Sequence, residues 1–502
     1  MSLITLFSSQ RSRKRPASPP VSSKQKFLTA LFLAYIFILV LAPLPLGSNR
    51  MWSASLLAVW ANLLLLLFLG IWALRPEILK VPLSGTMKAA TTLAVVVVIW
   101  IILQTVSWTP DAWHHPMWGD AQRLLAQQGF KDTAGMRGAV ALDPSASAEH
   151  LVRLLSYIAS FWLAYFLALD SRRAKILLAV IIGTGMVYAF YGFIVEATGT
   201  NTVLWFKKRA YIDNMTSTFF NRNSYAAYAG LGLLSATVLV FYRWRNIWRE
   251  STGRQLSSEG ARYFFWSDFL TKLAAGELLW LLLPIALFVA LIFSASRAGF
   301  ASCMGGMAVL ALALALNKRM RWSRIFMIFG LLVLFSGVML ALGGTQLAVR
   351  LNANTIAEDL PSRLNVYALT WEAIEANPWL GYGFGNFDTA FRLYRDPTVI
   401  GWFEEAHNDY LETIMDLGFP MALIWFSVIG LLVLRCVHGV WTRKRDGIYP
   451  ALALAATVQE GLHSIFDFSL QIPAVAFTYA AILGMGVAQS WSSRELGKKH
   501  AS

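Results

Sequence analysis

Charged residues are scarce in this chain of 502 amino acids. They make up 14% of the sequence, against roughly a quarter in ordinary soluble domains. Hydrophobic residues make up 57%, and the mean hydropathy is +0.53. This composition excludes an ordinary soluble enzyme and predicts a protein that lies largely within a membrane.

Cysteine is also scarce, since only Cys303 and Cys436 occur. Both fall in or at the ends of predicted apolar helices, in opposite halves of the membrane. They offer neither a disulfide framework nor a cysteine-based metal site. No internal repeat is evident, which weakens the interpretation as a transporter built from inverted repeats. It does not remove that interpretation, because distant repeats leave little trace in one sequence.

Long apolar runs dominate what is present. A helix needs roughly 20 mostly apolar residues to cross a bilayer with its backbone hydrogen bonds satisfied. The runs predict an all-α polytopic membrane protein of about 12 transmembrane helices, at 27–47, 52–74, 88–108, 151–169, 174–195, 222–242, 275–293, 298–316, 323–342, 415–436, 447–466 and 471–490.

The net charge of +15 follows this topology. With the N-terminus in the cytoplasm, the segments on that side hold 29 of the 43 Lys and Arg residues, as the positive-inside rule expects. Most acidic residues fall on the other side, so the basicity gives no support for a nucleic-acid partner. The basic, Pro- and Ser-rich N-terminal segment is predicted to be a cytoplasmic tail followed by a retained first helix.

Two outer segments are too long to be simple turns, and long loops are usually functional or disordered. They divide the chain into a cytoplasmic tail, two sets of helices, a large periplasmic loop and a second cytoplasmic tail. The predicted boundaries are 1–26 for the first tail, 27–342 for helices one to nine with a loop at 109–150, 343–414 for the large loop, 415–490 for the last three helices and 491–502 for the second tail.

The large loop shows a helical pattern, with apolar residues at helical spacing: Leu364, Tyr367, Trp371 and Ile374. This spacing predicts an amphipathic helix at the membrane interface, with Trp and Tyr as anchors. Asn377-Pro378 should end that helix. The glycines at 381, 383 and 385 then predict a turn through which the chain approaches its neighbours closely.

The first outer loop is rich in tryptophan and contains His114 and His115. A metal site needs three or four converging ligands, and no regular spacing of His and carboxylate residues accompanies this pair. We therefore expect exposed interfacial histidines and no metal. The Trp and Tyr side chains suit both stacking on sugar rings and the headgroup level of a bilayer.

The segment EEAHNDYLETIMDLGFP, residues 404–420, has the richest chemistry. On one helix His407, Tyr410 and Leu411 would share a face, while Asp409, Glu412 and Asp416 would share another. A histidine at a membrane surface can accept a proton near neutral pH. The acidic residues would equally suit the N-terminus of an ordinary helix, so the pattern alone leaves both interpretations open.

The run AHNDYLETIMDLG resembles the signature of the O-antigen ligase and polysaccharide polymerase superfamily of bacterial inner-membrane glycosyltransferases. Further resemblances follow in order along nearly the whole chain: PLPLGSNRMW, STFFNRNSYAAY, SASRAG, SRLNVYALTWEAIEANPWLGYGFGNF and HSIFDFSLQIP. The resemblance implies a GT-C-like helical fold in the inner membrane. It also implies cytoplasmic termini and a periplasmic active site.

The resemblance further implies the partners and the reaction. Members transfer a glycan from an undecaprenyl diphosphate carrier to an acceptor sugar, so we expect an undecaprenyl diphosphate-linked glycan donor and a glycan or lipid A-core acceptor. We expect membrane lipids around the helices and no cofactor. His407 would accept the proton of the acceptor hydroxyl, and Arg297 and Arg363 would bind the departing diphosphate without a metal, with inversion at the anomeric centre.

Each arginine also has an ordinary explanation. Arg297 lies in a short connection near the hydrocarbon, where a charge is costly and usually functional, but a long side chain can also reach back to the interface. Arg363 would open the amphipathic helix of the large loop, where a solvated charge is common.

A second set of residues is predicted to bind substrate: Asn221, Arg222, Asn223, Asn408, Tyr410, Glu412, His463 and Asp467. Lys207, Lys208 and Arg209 compete with Arg222 as the groups that attract an anionic donor. Glu460, His463 and Asp467 would share one face of the eleventh helix, where a structural polar cluster and a site contact are equally compatible with the spacing.

Ligase and polymerase differ mainly in the acceptor, and one sequence does not separate them; we take a ligase-like enzyme as the leading interpretation. A lipid-linked oligosaccharide flippase is the alternative of another class. A flippase should place ionisable residues near the bilayer midplane. Only Glu460 is a clear candidate there, whereas Arg297, Arg363 and His407 gather towards one face, which favours surface chemistry.

Overall fold

The computed structural model describes residues 23–79, 83–130, 137–252, 271, 276–316, 353–399, 401, 403–443 and 446–491. Within these ranges the helices are α1 (Ser23–Leu41), α2 (Met51–Leu74), α3 (Gly85–Thr105), α4 (Met117–Gln127), α5 (Pro144–Leu167), α6 (Ser171–Ala197), α7 (Arg222–Thr252), α8 (Leu282–Phe293), α9 (Arg297–Leu316), α10 (Ala353–Ala376), α11 (Phe387–Phe391), α12 (Asp409–Leu417), α13 (Phe419–Thr442), α14 (Ile448–His463) and α15 (Pro473–Ala488). A short antiparallel hairpin joins β1 (Thr202–Val203) to β2 (Phe206–Lys207).

Eight of these helices are long and apolar enough to cross a membrane, namely α1, α2, α3, α5, α6, α7, α9 and α13. Shorter apolar helices at Leu279–Phe293 and α15 pack among them. The chain is therefore a mostly helical, polytopic membrane protein. The predicted span at 323–342 and both predicted cytoplasmic tails, apart from a few residues at their inner ends, lie outside the described residues.

The rim of the helix bundle is apolar and exposed. Leu63 and Leu66 on α2 and Leu423 on α13 are 59%, 63% and 66% exposed. In water, an exposed apolar band of this kind would make the molecules associate. In a membrane it faces the hydrocarbon of the lipids. The centre of the bundle is formed by α7 and α15, whose side chains are buried along the apolar part of α7 and along all of α15.

Small residues let the central helices approach closely. Gly306 of α9 lies so near α14 that a Cβ on it would come within 2.9 Å of the Ala455 carbonyl oxygen. Helices in membranes associate largely through such close backbone packing, because lipid provides no hydrophobic drive between them. The tight α9–α14 pair fixes the first turn of α9 relative to the end of α14, and both ends contribute to the site described below.

The connections at one end of the bundle form a second layer with its own small core, which includes Val366, Ile374, Tyr382, Phe391 and Met415. This second layer, called the outer layer below, comprises α10, α11, α12 and the glycine turn at residues 381–385. Phe391, for example, is 2% exposed although it lies outside the bundle.

Gln104 at the end of α3 attaches this layer to the bundle. Its amide nitrogen donates to the Leu380 and Asp416 carbonyl oxygens, both at 2.9 Å, and its side-chain oxygen accepts from the Phe384 N–H at 3.2 Å. The side chain is fully buried, and a buried amide that satisfies three backbone groups is costly to replace.

The glycine turn has the predicted backbone. Gly381, Gly383 and Gly385 have φ values of +71°, +103° and +75°, in the left-handed region that favours glycine. A Cβ on Gly381 would collide with the Asp416 carbonyl, so the turn also needs glycine for close packing. The preceding helix ends at Ala376, directly before the predicted break at Asn377-Pro378.

Several details of the outer layer differ from the sequence-based expectations. Leu364 and Trp371 of the predicted apolar face are 50% and 42% exposed, whereas Ile374 of that face and Val366 outside it are buried, so the buried face of α10 is rotated relative to the predicted one. Packing against the small core decides which face is buried, and the largest apolar side chains do not mark it. The helix also begins at Ala353, so Arg363 lies within it and does not open it.

The predicted tenth span, 415–436, is two helices. Gly418 has a φ of +75° and separates α12 from α13, and only α13 is long and apolar enough to span a membrane. An apolar run does not reveal such a break, because glycine is tolerated within many helices.

The two adjacent histidines of the first outer loop are not exposed. The His114 side chain is only 10% exposed, and its Nε2 lies 3.1 Å from the Thr109 hydroxyl. The His115 ring packs against Tyr382 with ring centres 5.4 Å apart. The His114 contact lies within the loop, whereas the His115 ring contacts the outer layer and helps to attach the loop, which the run of tryptophans did not indicate.

Candidate active site

Two segments at the outer end of the bundle form the candidate site, residues 403–412 and 463–471. The Asp409 N–H donates to the Ser464 carbonyl at 2.9 Å, and the Ser464 hydroxyl donates to Asp409 Oδ2 at 2.6 Å. Gln471 Nε2 donates to Glu412 Oε1 at 3.0 Å. The end of α14 therefore holds the start of α12 in place.

His407 lies just before α12. Asn408 caps that helix by accepting the N–H groups of Tyr410 and Leu411, each at 3.1 Å. The prediction that His407, Tyr410 and Leu411 share a helical face is therefore wrong. Asparagine is a preferred N-cap, so the helix begins after Asn408 and His407 lies outside it. His407 itself has a φ of +54°, an uncommon and costly conformation for a residue with a side chain.

The surroundings hold His407 in this conformation. The Tyr367 hydroxyl donates to the His407 carbonyl at 2.8 Å. The imidazole ring of His407 packs edge-on against Phe468 and Phe403, with ring centres 4.8 Å and 5.9 Å apart. Strained residues of this kind persist where the structure over-determines them, and they cluster at functional sites.

Asp467 faces the histidine. His407 Nδ1 lies 3.7 Å from Asp467 Oδ1, which also accepts the Phe468 N–H at 2.8 Å. Burial by itself would raise the pKa of Asp467, but the neighbouring His407 and the positive charge of Arg363 lower it to about 2. The carboxylate therefore stays ionised and stabilises a protonated imidazole.

Arg363 reaches the same turn from α10. Its guanidinium donates to the Phe466 carbonyl, one residue before Asp467. Tyr367, one helical turn further along α10, contacts the carbonyls of both His407 and Ile465. One face of α10 thus covers the 463–468 turn and places a guanidinium beside it.

Ser296, the residue directly before Arg297, is connected to Asp467 through Asn223. Asn223 Nδ2 donates to Asp467 Oδ2, and Asn223 Oδ1 accepts from the Ser296 hydroxyl at 2.8 Å. Ser296 Oγ also accepts the Gly299 N–H at 3.1 Å and so caps α9, whose first residue is Arg297. The structure therefore brings His407, Arg363 and Ser296, the residue directly before Arg297, to one polar network centred on Asp467.

The other predicted substrate-binding residues have internal contacts. Asn221 Oδ1 accepts the Asn223 N–H at 2.8 Å, and the Tyr410 hydroxyl donates to the Gly461 carbonyl at 2.8 Å. Arg222 stacks over the Tyr211 ring, 5.1 Å from its centre, on the hairpin side of the bundle.

The predicted helical face of Glu460, His463 and Asp467 is wrong for its last member. The helix α14 ends at His463, and Asp467 follows in the non-helical turn that contacts α7 and α10. The spacing from i to i+7 assumed a longer helix. His463 is fully buried, and its position next to Asp467 depends on the turn.

The carboxylates of α12 do share one buried face, as their spacing predicts. Asp409, Glu412 and Asp416 are 8%, 1% and 1% exposed. Burial raises the pKa of each of them well above its ordinary value. Glu405 adds to this effect because its negative charge lies close to all three.

Two cavities border the site. A mostly apolar one of about 490 Å³ runs among α3, α5, α13, α14 and α15, and Asp409 and Gln471 line its outer end. A polar one of about 1090 Å³ lies outside the bundle, and Phe468 and Glu405 line the side next to His407. The site therefore lies between an apolar space and a polar space.

Residues 282–426 match the model of the O-antigen ligase family, and this segment contains Arg297, Arg363 and His407. The predicted resemblance to the O-antigen ligase superfamily is therefore confirmed. The general O-oligosaccharyltransferase of Acinetobacter baylyi is 24% identical to the chain over 129 residues, which is 26% of this chain. The alignment covers 22% of that relative's length. The two matches are therefore a likeness of part of this chain to O-antigen ligases and to an O-oligosaccharyltransferase.

Sequence reasoning did not find every member of the network around Asp467. It assigned no site role to Ser296, Tyr367 or Phe468, which position Asn223 and His407. Ser296 carried a usable signal, since a serine directly before a helix is a preferred N-cap. Tyr367 carried none, because its partners are carbonyls distant in sequence.

Proposed function

We propose that this protein is an inner-membrane glycosyltransferase of the O-antigen ligase type. It transfers a glycan from an undecaprenyl diphosphate carrier to an acceptor sugar, such as the lipid A core, at the periplasmic face. The observation that supports this most strongly is the network around Asp467. It brings Arg363 and His407 together and reaches Ser296, the residue before Arg297, and all of these lie within the family-matched segment.

His407 is the proposed general base. Its Nδ1 faces Asp467, so Nε2 accepts the proton of the acceptor hydroxyl. The hydroxyl oxygen then attacks the anomeric carbon while the bond from that carbon to the diphosphate oxygen breaks. The diphosphate leaves with the bonding electrons, and direct attack inverts the anomeric centre. Asp467 stabilises the imidazolium that forms.

Arg297 and Arg363 bind the departing diphosphate. Guanidinium groups stay charged and offer paired donors that match phosphate oxygens. Fixed positive charge at the leaving group stabilises the transition state more than the ground state, since the negative charge grows as the bond breaks. This arrangement supplies the needed charge from the protein's own side chains.

The acceptor distinguishes three variants of this chemistry: a ligase, a polymerase and an O-oligosaccharyltransferase. A ligase uses the lipid A core, and a polymerase uses a second lipid-linked glycan or an exopolysaccharide. The name of the relative, an O-oligosaccharyltransferase, denotes transfer of an oligosaccharide to an oxygen atom. Each acceptor presents a hydroxyl, so the role of His407 is the same in all of them.

The test is transfer by the purified protein in lipid nanodiscs. An undecaprenyl diphosphate-linked oligosaccharide is supplied with a lipid A-core acceptor, a second lipid-linked glycan or a serine-containing peptide, and product is read by mass spectrometry. We expect product with one class of acceptor. We expect none from His407→Ala, whereas Arg123→Ala, at an exposed ion pair on α4, should match the wild type.

Retained transfer by His407→Ala would contradict the general-base role. In proteoliposomes, translocation of the lipid-linked oligosaccharide without any product would contradict the proposed function and favour a flippase.

A further inference from the structure

The polar cavity of about 1090 Å³ has no assigned role in the chemistry above. It lies between the β1–β2 hairpin, the first turns of α2 and α5, and the outer layer at residues 385–389. Phe468, the ring against which His407 packs, lines it, as do Glu404 and Glu405. A molecule that contacts Phe468 in this cavity is therefore one residue away from the proposed general base.

Cations cluster on the hairpin side of the cavity, where Arg50, Lys207, Lys208 and Arg209 line it. Arg50, Lys207 and Arg209 are exposed, and none of them forms an ion pair within the described part of the chain. Lys208 is 7% exposed and donates to the Asn214 carbonyl at 2.9 Å. This wall can therefore neutralise an anionic group.

Aromatic rings flank these cations. Phe206 lines the cavity and is 42% exposed, and the neighbouring Trp205 is 78% exposed, with ring centres 5.6 Å apart. Phe220 continues the row, 6.3 Å from Phe206, and Arg50 stacks 4.6 Å above its ring centre. Exposed aromatic faces beside charges suit the apolar face of a sugar ring.

Carboxylates line the side formed by the outer layer. Asp388, Glu404 and Glu405 are there, and such oxygens accept hydrogen bonds from sugar hydroxyls. Arg153 also lines the cavity, but it is already paired with Glu149 on α5. The cavity therefore combines a cationic wall, an aromatic platform and a wall of hydrogen-bond acceptors.

The positions of Arg297 and Arg363 distinguish the binding site of the donor from that of the acceptor. The diphosphate of the donor must reach Arg297 and Arg363, and neither residue lines this cavity. The cavity is nevertheless lined by Phe468, whose ring packs against that of His407, so a molecule held there is one residue away from the base that must contact the acceptor hydroxyl. We propose that this cavity is the acceptor subsite and takes a sugar that carries a phosphate or carboxylate group. The anionic group binds to Arg50, Lys207 and Arg209, and a ring stacks on Phe206.

This inference rests on the proposed function, but its test does not need turnover. The full-length protein in neutral phosphatidylcholine nanodiscs is titrated with a fluorescein-labelled phosphorylated oligosaccharide and with its phosphatase-treated counterpart. The wild type should bind the phosphorylated probe roughly tenfold more tightly or better. Lys207→Ala combined with Arg209→Ala should abolish this preference, and Phe206→Ala should weaken binding of both probes.

Matched controls lie outside the cavity. Arg123→Ala removes an exposed arginine on α4, and Trp108→Ala removes an aromatic ring that is 69% exposed. Both should bind the probes like the wild type. In the transfer assay the Lys207/Arg209 double variant should raise the KM for the acceptor and leave kcat and the KM for the donor unchanged.

Three results would overturn the assignment. Loss of undecaprenyl diphosphate binding in the double variant, with oligosaccharide binding intact, would assign the cations to the donor. An effect only on association with phosphatidylglycerol vesicles would assign them to a lipid surface. Transfer with an unchanged acceptor KM would contradict the subsite and leave the proposed function standing. Cation-dependent probe binding without any transfer would support the subsite and contradict the proposed function.

Discussion

At the scale of single residues, the chemistry depends on a pair, His407 and Asp467. A histidine is an effective base only if its protonated form is stabilised at the moment of proton transfer. The Asp467 carboxylate is fully buried and lies 3.7 Å from His407 Nδ1. Because its pKa is lowered to about 2, it carries its charge at any pH at which a membrane enzyme works.

We predict that Asp467→Asn lowers kcat about 100-fold or more, since the imidazolium loses its counter-charge while the side chain keeps its shape. The KM for the donor should change little. The loss should be similar at every pH above about 4, where the wild-type carboxylate is ionised. Steady-state kinetics in nanodiscs over this pH range provide the measurement.

Asp120→Asn, an exposed carboxylate on α4, is the control for Asp467→Asn and should have no effect. A wild-type kcat in Asp467→Asn would show that Asp467 does not act on His407.

How much of this site the sequence predicts depends on where each residue's partners lie. His407, Arg297 and Arg363 are found from short motifs, because motifs record residue type and order. Ser296 and Tyr367 lie in the same motifs, but the motifs do not reveal their site roles, because these depend on the turn after α14 folding back against α7 and α10. Distance along the chain gives no measure of that contact.

At the scale of elements, α12 is unusual because three carboxylates lie on its buried face. Its helical spacing predicts the shared face of Asp409, Glu412 and Asp416, but its start is set by the Asn408 cap, which the periodicity does not show. Asp416 accepts the Gly385 N–H at 2.6 Å through Oδ2, so it also holds the glycine turn. Burial raises the pKa of Asp416 well above its ordinary value.

A raised carboxyl pKa has a definite effect on stability. The folded state holds the proton more tightly, so stability is fully present at low pH and falls as the pH rises from the ordinary pKa towards the raised one. We predict that Asp416→Asn, which cannot ionise, unfolds at the wild-type temperature near about pH 4 and at a higher temperature near about pH 8. Thermal unfolding in detergent at both pH values is the measurement.

Asp111→Asn is the control for Asp416→Asn, because the Asp111 side chain is fully exposed. Equal shifts in the two variants would attribute the effect to overall charge and not to burial.

The glycine turn makes a second prediction at this scale. Gly381 and Gly129 both have positive φ values, +71° and +86°, but a Cβ on Gly129 meets nothing within 4 Å, whereas one on Gly381 meets the Asp416 carbonyl. Gly129→Ala should cost about 1 kcal/mol, from the backbone conformation alone. Gly381→Ala should cost clearly more, seen as a lower unfolding temperature and faster proteolysis of the outer layer. Equal losses would mean that close packing at the turn contributes nothing.

At the scale of the whole molecule, the sequence predicts the apolar helices well, because hydrocarbon imposes length and composition on each of them. It predicts the outer layer less well. The exposed face of α10 depends on the small core of that layer, and the break at Gly418 lies against Trp379 and Gly381, which are distant in sequence.

The orientation of the bundle is the last prediction, and the site depends on it. Residues 404–412 and 464–471 contact each other, and Ser296 is linked to Asp467 through Asn223, at one end of the bundle, which the positive-inside rule assigns to the periplasm. Both native cysteines are fully buried, so an impermeant maleimide should label introduced cysteines on a low background.

Asp111→Cys, in the first outer loop, should therefore label in intact spheroplasts. Glu77→Cys, in the turn after α2, should label only after the membrane is permeabilised, and the wild type should remain unlabelled in both conditions. The opposite pattern would place His407 and Asp467 in the cytoplasm, where nucleotide sugars are present, and a donor carried on the periplasmic leaflet would then be unable to reach them.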